Sequence, residues 1–188
     1  MALELWKRAS SRRKRFYVFS LCFLLLIVIT VSGTLTPLTL EEAKDLSKDL
    51  EQTQGDIMNM TVLSGTLLIF RNNFMISLLM FIPFFGPFFG GYVTHNTGVV
   101  IAAESLTSPS PVPPTLVLLV LFVFPFTWME FIVYSLAFSE SLWLSWSLIK
   151  HKGREELLTT LILILVCLLV LLAAAFIEMV LIMALSGT

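Results

Sequence analysis

The sequence predicts an all-α protein, a polytopic transmembrane helical bundle. It has five spans, with six as the alternative, broken helices and one short amphipathic helix outside the membrane. Three observations predict it. First, the 188 residues are 57% hydrophobic and only 13% charged, with a mean hydropathy of +0.91. Soluble domains are roughly 45–50% apolar and 25% charged, and a water-soluble fold this small cannot hide so much apolar surface. Second, the charges are segregated. No Asp, Glu, Lys or Arg lies between Arg15 and Glu41, Arg71 and Glu104, Glu104 and Glu130, or Glu156 and Glu178. Each gap holds a helix of about 20 residues, the length that crosses about 30 Å of hydrocarbon. Third, the runs are continuously apolar and lack a period of two, so of the two structures that satisfy backbone groups in lipid they fit helices rather than barrel strands.

The elements follow in order. Residues 1–15 form a basic tail that carries half of the chain's Lys and Arg: Lys7, Arg8, Arg12, Arg13, Lys14 and Arg15. An excess of base marks the cytoplasmic side, which places the N-terminus there. Span 1 is 16–33; a basic start, an apolar run and the small residues Val31-Ser32-Gly33 also suit a signal peptide, and it is read as uncleaved. Residues 34–60 are a polar excursion. Thr39 and Glu42 make a T-x-x-E capping box, and Leu40, Ala43, Leu46 and Leu50 then recur at helical spacing. Gly55 is the expected stop. The acidic face of this helix suits the outer side, lying on the membrane or docking a partner. Asn59-Met60-Thr61 is a glycosylation sequon.

Span 2 is 62–83 and carries Arg71-Asn72-Asn73. Pro83-Phe84-Phe85-Gly86 is followed at once by Pro87-Phe88-Phe89-Gly90, and two prolines four apart cannot both sit inside an undisturbed helix. A turn is expected there, then span 3 at 88–106. Ser108-Pro109-Ser110-Pro111-Val112-Pro113-Pro114 reads as an extended outer loop. Residues 115–149 are too long for one simple span and short for two. Pro125 breaks the run; the expectation is span 4 at 115–137 and a short helix at 139–149. Lys150, His151, Lys152 and Arg154 return the chain to the cytoplasm, and span 5 at 157–184 ends outside. The whole chain, 1–188, is one integral membrane domain at the cell membrane. Cys22 and Cys167 lie in apolar runs and read as small core residues.

Ionisable groups inside a span are costly and turn toward other helices. Counting depth at about 1.5 Å per residue, Glu130 falls level with His95 and Asn96. These three form the first expected intramembrane polar cluster, either an ion or proton site or a clamp between helices. Arg71, Asn72, Asn73 and Glu178 form the second, with an Arg71–Glu178 ion pair as its centre; the other reading has Arg71 snorkelling to water. Glu104 and Glu140 are placed at span ends. Trp128, Trp143, Trp146 and Tyr134 read as interface anchors, with packing as the alternative.

Asn72-Asn73, the run Phe81–Gly91 and Asn96-Thr97-Gly98 together resemble the stage II sporulation protein M family. In that family an asparagine-led helix meets a Gly-rich apolar turn and then an N-x-G element. A second family block, P-H-G-x-x-E, has its Pro and Glu at Pro125 and Glu130; its His and Gly are absent. A third, an alanine-rich helix with a late glutamate, is similar to Ala173–Glu178. The resemblance spans about residues 15–185 and looks most like archaeal members. It implies a multi-span membrane protein without established catalytic activity. The family's namesake is the membrane scaffold of a complex with two cell-wall hydrolases. Sporulation itself is not carried over.

The expected function is therefore a non-catalytic scaffold or complex subunit. Its partners are the lipid bilayer and either a second copy, giving a homo-oligomer such as a dimer, or other membrane proteins. A transporter or channel component with its site at Glu130, His95 and Asn96 is the alternative, since broken helices with buried polar groups are the ingredients of ion sites. Enzyme chemistry is not expected: there is no Gly-x-Ser-x-Gly, no His-Glu-x-x-His and no nucleotide-binding loop, and the two His lack the spacing of a zinc site. No catalytic residue, cofactor or metal is expected. Outside the N-terminus there is no basic stripe, so nucleic acid is not a partner.

Overall fold

The charge gaps become helices and the prolines fall at their ends. The computed structural model describes residues 11–151 and 153–186; residues 1–10 of the basic tail and Lys152 lie outside it. Among the described residues there are seven helices and no strand. They are α1 (Ser11–Thr34), α2 (Leu40–Met58), α3 (Val62–Met80), α4 (Phe85–Thr107), α5 (Pro114–Leu121), α6 (Pro125–Ile149) and α7 (Gly153–Ser186). Four are long and apolar enough to cross a membrane: Arg13–Thr34, Val62–Met80, Pro125–Ile149 and Glu156–Leu185. Helix α4 has 23 residues but is less apolar, because Tyr92, His95, Asn96 and Thr97 sit along its middle.

The capping box forms as its spacing requires. Thr39 Oγ1 accepts from the Glu42 N–H, and the Glu42 carboxylate accepts from the Thr39 N–H at 2.8 Å. Gly55 does not stop this helix, which runs on to Met58. A Cβ there would meet nothing within 4 Å, so glycine costs only its propensity, about 1 kcal/mol. Helix α2 lies on α4: Ala43 and Ser47 are buried, and Ser47 shares a 2.8 Å hydrogen bond with Thr107.

The double proline motif makes the turn between α3 and α4. Phe84 has φ 63° and ψ −39°, and the Phe85 N–H donates to the Pro83 carbonyl at 2.7 Å. This is a γ-turn of the rarer positive-φ kind, strained for any residue but glycine. Helix α6 holds it in place: the Phe84 N–H donates to Ser145 Oγ at 2.8 Å, and Ser141 Oγ donates to the Ile82 carbonyl at 2.7 Å.

The break expected at Pro125 lies just before it. The chain leaves helical form after Leu121 and re-enters at Pro125, the position where a missing N–H does no harm. Two side chains satisfy the carbonyls freed there: Thr127 Oγ1 donates to Leu121 at 2.8 Å, and Trp128 Nε1 donates to Phe122 at 2.7 Å. Trp128 thus serves the break. From Pro125 the helix is continuous to Ile149. The expected division into a span at 115–137 and a separate helix at 139–149 is therefore corrected, because no second breaker follows Pro125.

Helix α6 supplies the deepest face. Phe131, Val133, Tyr134, Ala137 and Phe138 join Cys22 and Leu26 of α1, Met80 and Phe81, and Cys167 and Leu171 of α7 in one core. Both cysteines are free and buried there. A second core joins α3 to α7 through Ile69, Ala175 and Met179. The outward faces are equally apolar: Leu24, Leu67 and Leu165 are exposed, a surface that suits lipid.

Candidate functional site

Helices in lipid gain little from apolar attraction to one another, so small residues and polar contacts hold them. Two glycines let α1 and α4 approach closely. A Cβ on Gly33 would strike the His95 carbonyl, and one on Gly98 would strike the Thr30 carbonyl. Gly33 and Gly98 thus face each other where the two backbones touch.

The most connected polar group is at the other end of α1. Arg15 Nη1 donates to Glu140 Oε2 of α6 at 2.7 Å, and its Nη2 donates to Glu156 of α7. Thr160 Oγ1 donates to the second Glu140 oxygen at 2.8 Å, and Trp143 Nε1 donates to Glu156 at 3.2 Å. The guanidinium lies 4.9 Å from the centre of the Trp143 ring, in cation–π range. Glu140 is buried, with 3% of its surface exposed. One guanidinium therefore ties three helices together.

A second polar group lies farther along the bundle. The Asn73 amide of α3 donates to Glu130 of α6. Tyr134, one turn beyond Glu130, is buried, and Glu178 of α7 is near enough to act on Glu130 electrostatically. Glu178 Oε2 is itself buried without a hydrogen-bond partner.

These placements re-sort both expected clusters. No hydrogen bond or ion pair among the described residues joins His95 or Asn96 to Glu130. His95 lies where α4 crosses α1, against Gly33, and Asn96 is exposed. Glu130 instead takes Asn73, a member of the other expected cluster. No ion pair joins Arg71 to Glu178 among the described residues; Arg71 and Asn72 are exposed, and Glu178 contributes to the group around Glu130. Equal depth does not make two residues neighbours: α4 is drawn to α1 by glycine. The Arg15–Glu140–Glu156 group was missed, since Glu140 was placed at a span end. Its one sequence signal is Glu140 and Glu156 flanking the return loop, with Arg15 closing the basic tail.

Among the described residues no three His, Cys, Asp or Glu side chains gather into a possible metal site. The arrangement's chemistry is that of clamps: a guanidinium on two carboxylates, and an amide on a third.

The family model described as stage II sporulation protein M matches residues 18–181. No curated protein and no solved structure matches the chain. The match covers the Gly33–Gly98 crossing, the γ-turn, Asn73, Glu130, Glu140, Glu156 and Glu178, whereas Arg15 lies just outside it. With the apolar helices, it makes this a membrane protein.

Proposed function

Since the chain belongs to the stage II sporulation protein M family, we propose that it is a non-catalytic integral membrane scaffold or complex subunit. It crosses the membrane five times, through α1, α3, α4, the broken α5–α6 pair and α7, with its basic N-terminus in the cytoplasm. It works through contacts with a second copy or with other membrane proteins in the bilayer, and nucleic acid is not a partner. The observation that carries this reading is Arg15, which spends its guanidinium on Glu140 and Glu156 and so joins the first, fourth and fifth spans. A scaffold needs such fixed relative placement of its spans. The outer helix α2 adds an exposed acidic face with Glu41, Glu42, Asp45 and Asp56 for contacts outside the bilayer.

The test is purification from native membranes into nanodiscs, with mass measured by light scattering. A stable oligomer, or a membrane protein that co-purifies in fixed ratio, is expected. A lone monomer without any partner contradicts the scaffold reading.

A transporter or channel component is the second reading, and one observation favours it: Glu130 is held by Asn73 with Glu178 nearby. Proton or cation flux in liposomes that falls in Glu130→Gln supports this reading; unchanged flux counts against it.

A further inference from the structure

Among the described residues, two buried side-chain atoms lack a hydrogen-bond partner: Thr66 Oγ1 and Glu178 Oε2. Each is next in sequence to a residue of one interhelical contact, Gly65 of α3 against Met179 of α7. Glu178 also lines a cavity of about 470 Å³, within the size range of small-molecule sites. Met58, Leu121, Phe124, Phe126 and Leu181 are among its other walls, and Glu178 is the one charged residue among those described that line it. The Phe124 and Phe126 rings stack with centroids 5.6 Å apart.

We infer that this cavity binds a primary alkylammonium group carried by an amphiphile. One Glu178 oxygen is closed off without a donor, which makes the ionised carboxylate costly, and an ammonium in the cavity offers N–H donors to the other oxygen. Aromatic faces attract the same cation. The apolar walls accept a hydrocarbon chain. An anion meets the carboxylate's charge, and one carboxylate is too few oxygens for a metal ion. The ammonium belongs either to an ethanolamine headgroup or to a free long-chain amine. The inference holds whichever complex the protein serves.

The test uses the full chain in nanodiscs with three photoactivatable probes sharing one diazirine chain: phosphatidylethanolamine, phosphatidylglycerol and a long-chain primary amine. Saturable labelling by an amine probe, mapping to residues 121–126 or 178–185, is expected. Glu178→Gln removes the charge at constant shape. Leu181→Lys supplies a tethered ammonium at the i, i+3 position. Each is expected to lower labelling by at least about tenfold, the equivalent of one lost charge-assisted hydrogen bond. Which amine probe labels identifies the source. Equal labelling by phosphatidylglycerol, or labelling unchanged in both variants while each elutes as the wild type, overturns the inference.

Discussion

Replacing Gly98 by alanine puts a methyl group where the Thr30 carbonyl already sits. Filling a packed site costs about 1–3 kcal/mol when neighbours can adjust. Here the obstacle is backbone on a facing helix, so the cost belongs at the upper end, about 3 kcal/mol. Alanine recovers about 1 kcal/mol of helix propensity. The net loss is about 2 kcal/mol, roughly thirtyfold in the folding equilibrium. Gly33→Ala meets the His95 carbonyl and behaves alike. Once either methyl has separated the helices, the second has little left to disturb while it still regains helix propensity, so the double variant loses about 1–2 kcal/mol rather than the sum of about 4. Gly91→Ala is the control: its Cβ meets only Ile29 Cδ1, at 3.9 Å, and it gains up to about 1 kcal/mol. Unfolding in mixed micelles, followed by tryptophan fluorescence, ranks the four proteins. The reasoning is refuted if Gly98→Ala is as stable as Gly91→Ala, or if the two costly changes simply add.

Three further outcomes follow from other contacts. Glu140→Ala strips one carboxylate from Arg15, and because the guanidinium keeps Glu156 and is 23% exposed, the loss is about 2 kcal/mol, below the range for a fully buried pair. A cycle with Arg15→Met in the same unfolding assay checks that the two changes are coupled. Phe84→Gly relieves a positive-φ conformation at an exposed side chain, so it stabilises by about 1 kcal/mol; a loss of stability indicates that the Phe84 ring, not the turn, matters. Hydrogen bonds from the Thr39 backbone N–H and hydroxyl hold the Glu42 carboxyl below its ordinary value of 4.5. Its folded value is depressed, so its contribution is complete above about 4.5 and fades as pH falls through the lower folded value. Amide exchange in the first turn of α2 should therefore quicken on acidification, and Glu42→Gln should remove that pH dependence.

Much of the fold was legible in one dimension because lipid makes charge expensive. The gaps between charges located α1 and α7, and the capping box and the doubled proline motif set local geometry by themselves. Pairing was less legible. Depth along an axis placed Glu130 level with His95, yet which helices touch depends on who can approach closely, and Gly33 and Gly98 settle that for α1 and α4. Misplacing a helix end near residue 138 had a larger consequence. It moved Glu140 from the interior of one long helix to an expected interface, which hid its bond to Arg15. Asn73 was grouped with Arg71 and Glu178, whereas its amide donates to Glu130; Arg71, two positions earlier, faces outward.

Everything above depends on the apolar outer faces meeting lipid while polar side chains turn inward. Spin labels at Leu24, Leu67 and Leu165, one at a time in a Cys22→Ala, Cys167→Ala background reconstituted in bilayers, measure this directly. These positions are 60%, 50% and 57% exposed. The labels should collide freely with dissolved oxygen and be shielded from a water-soluble nickel chelate, whereas a label at Asp56 of α2 should meet the chelate. Ready access of the chelate to all three apolar positions would contradict the account.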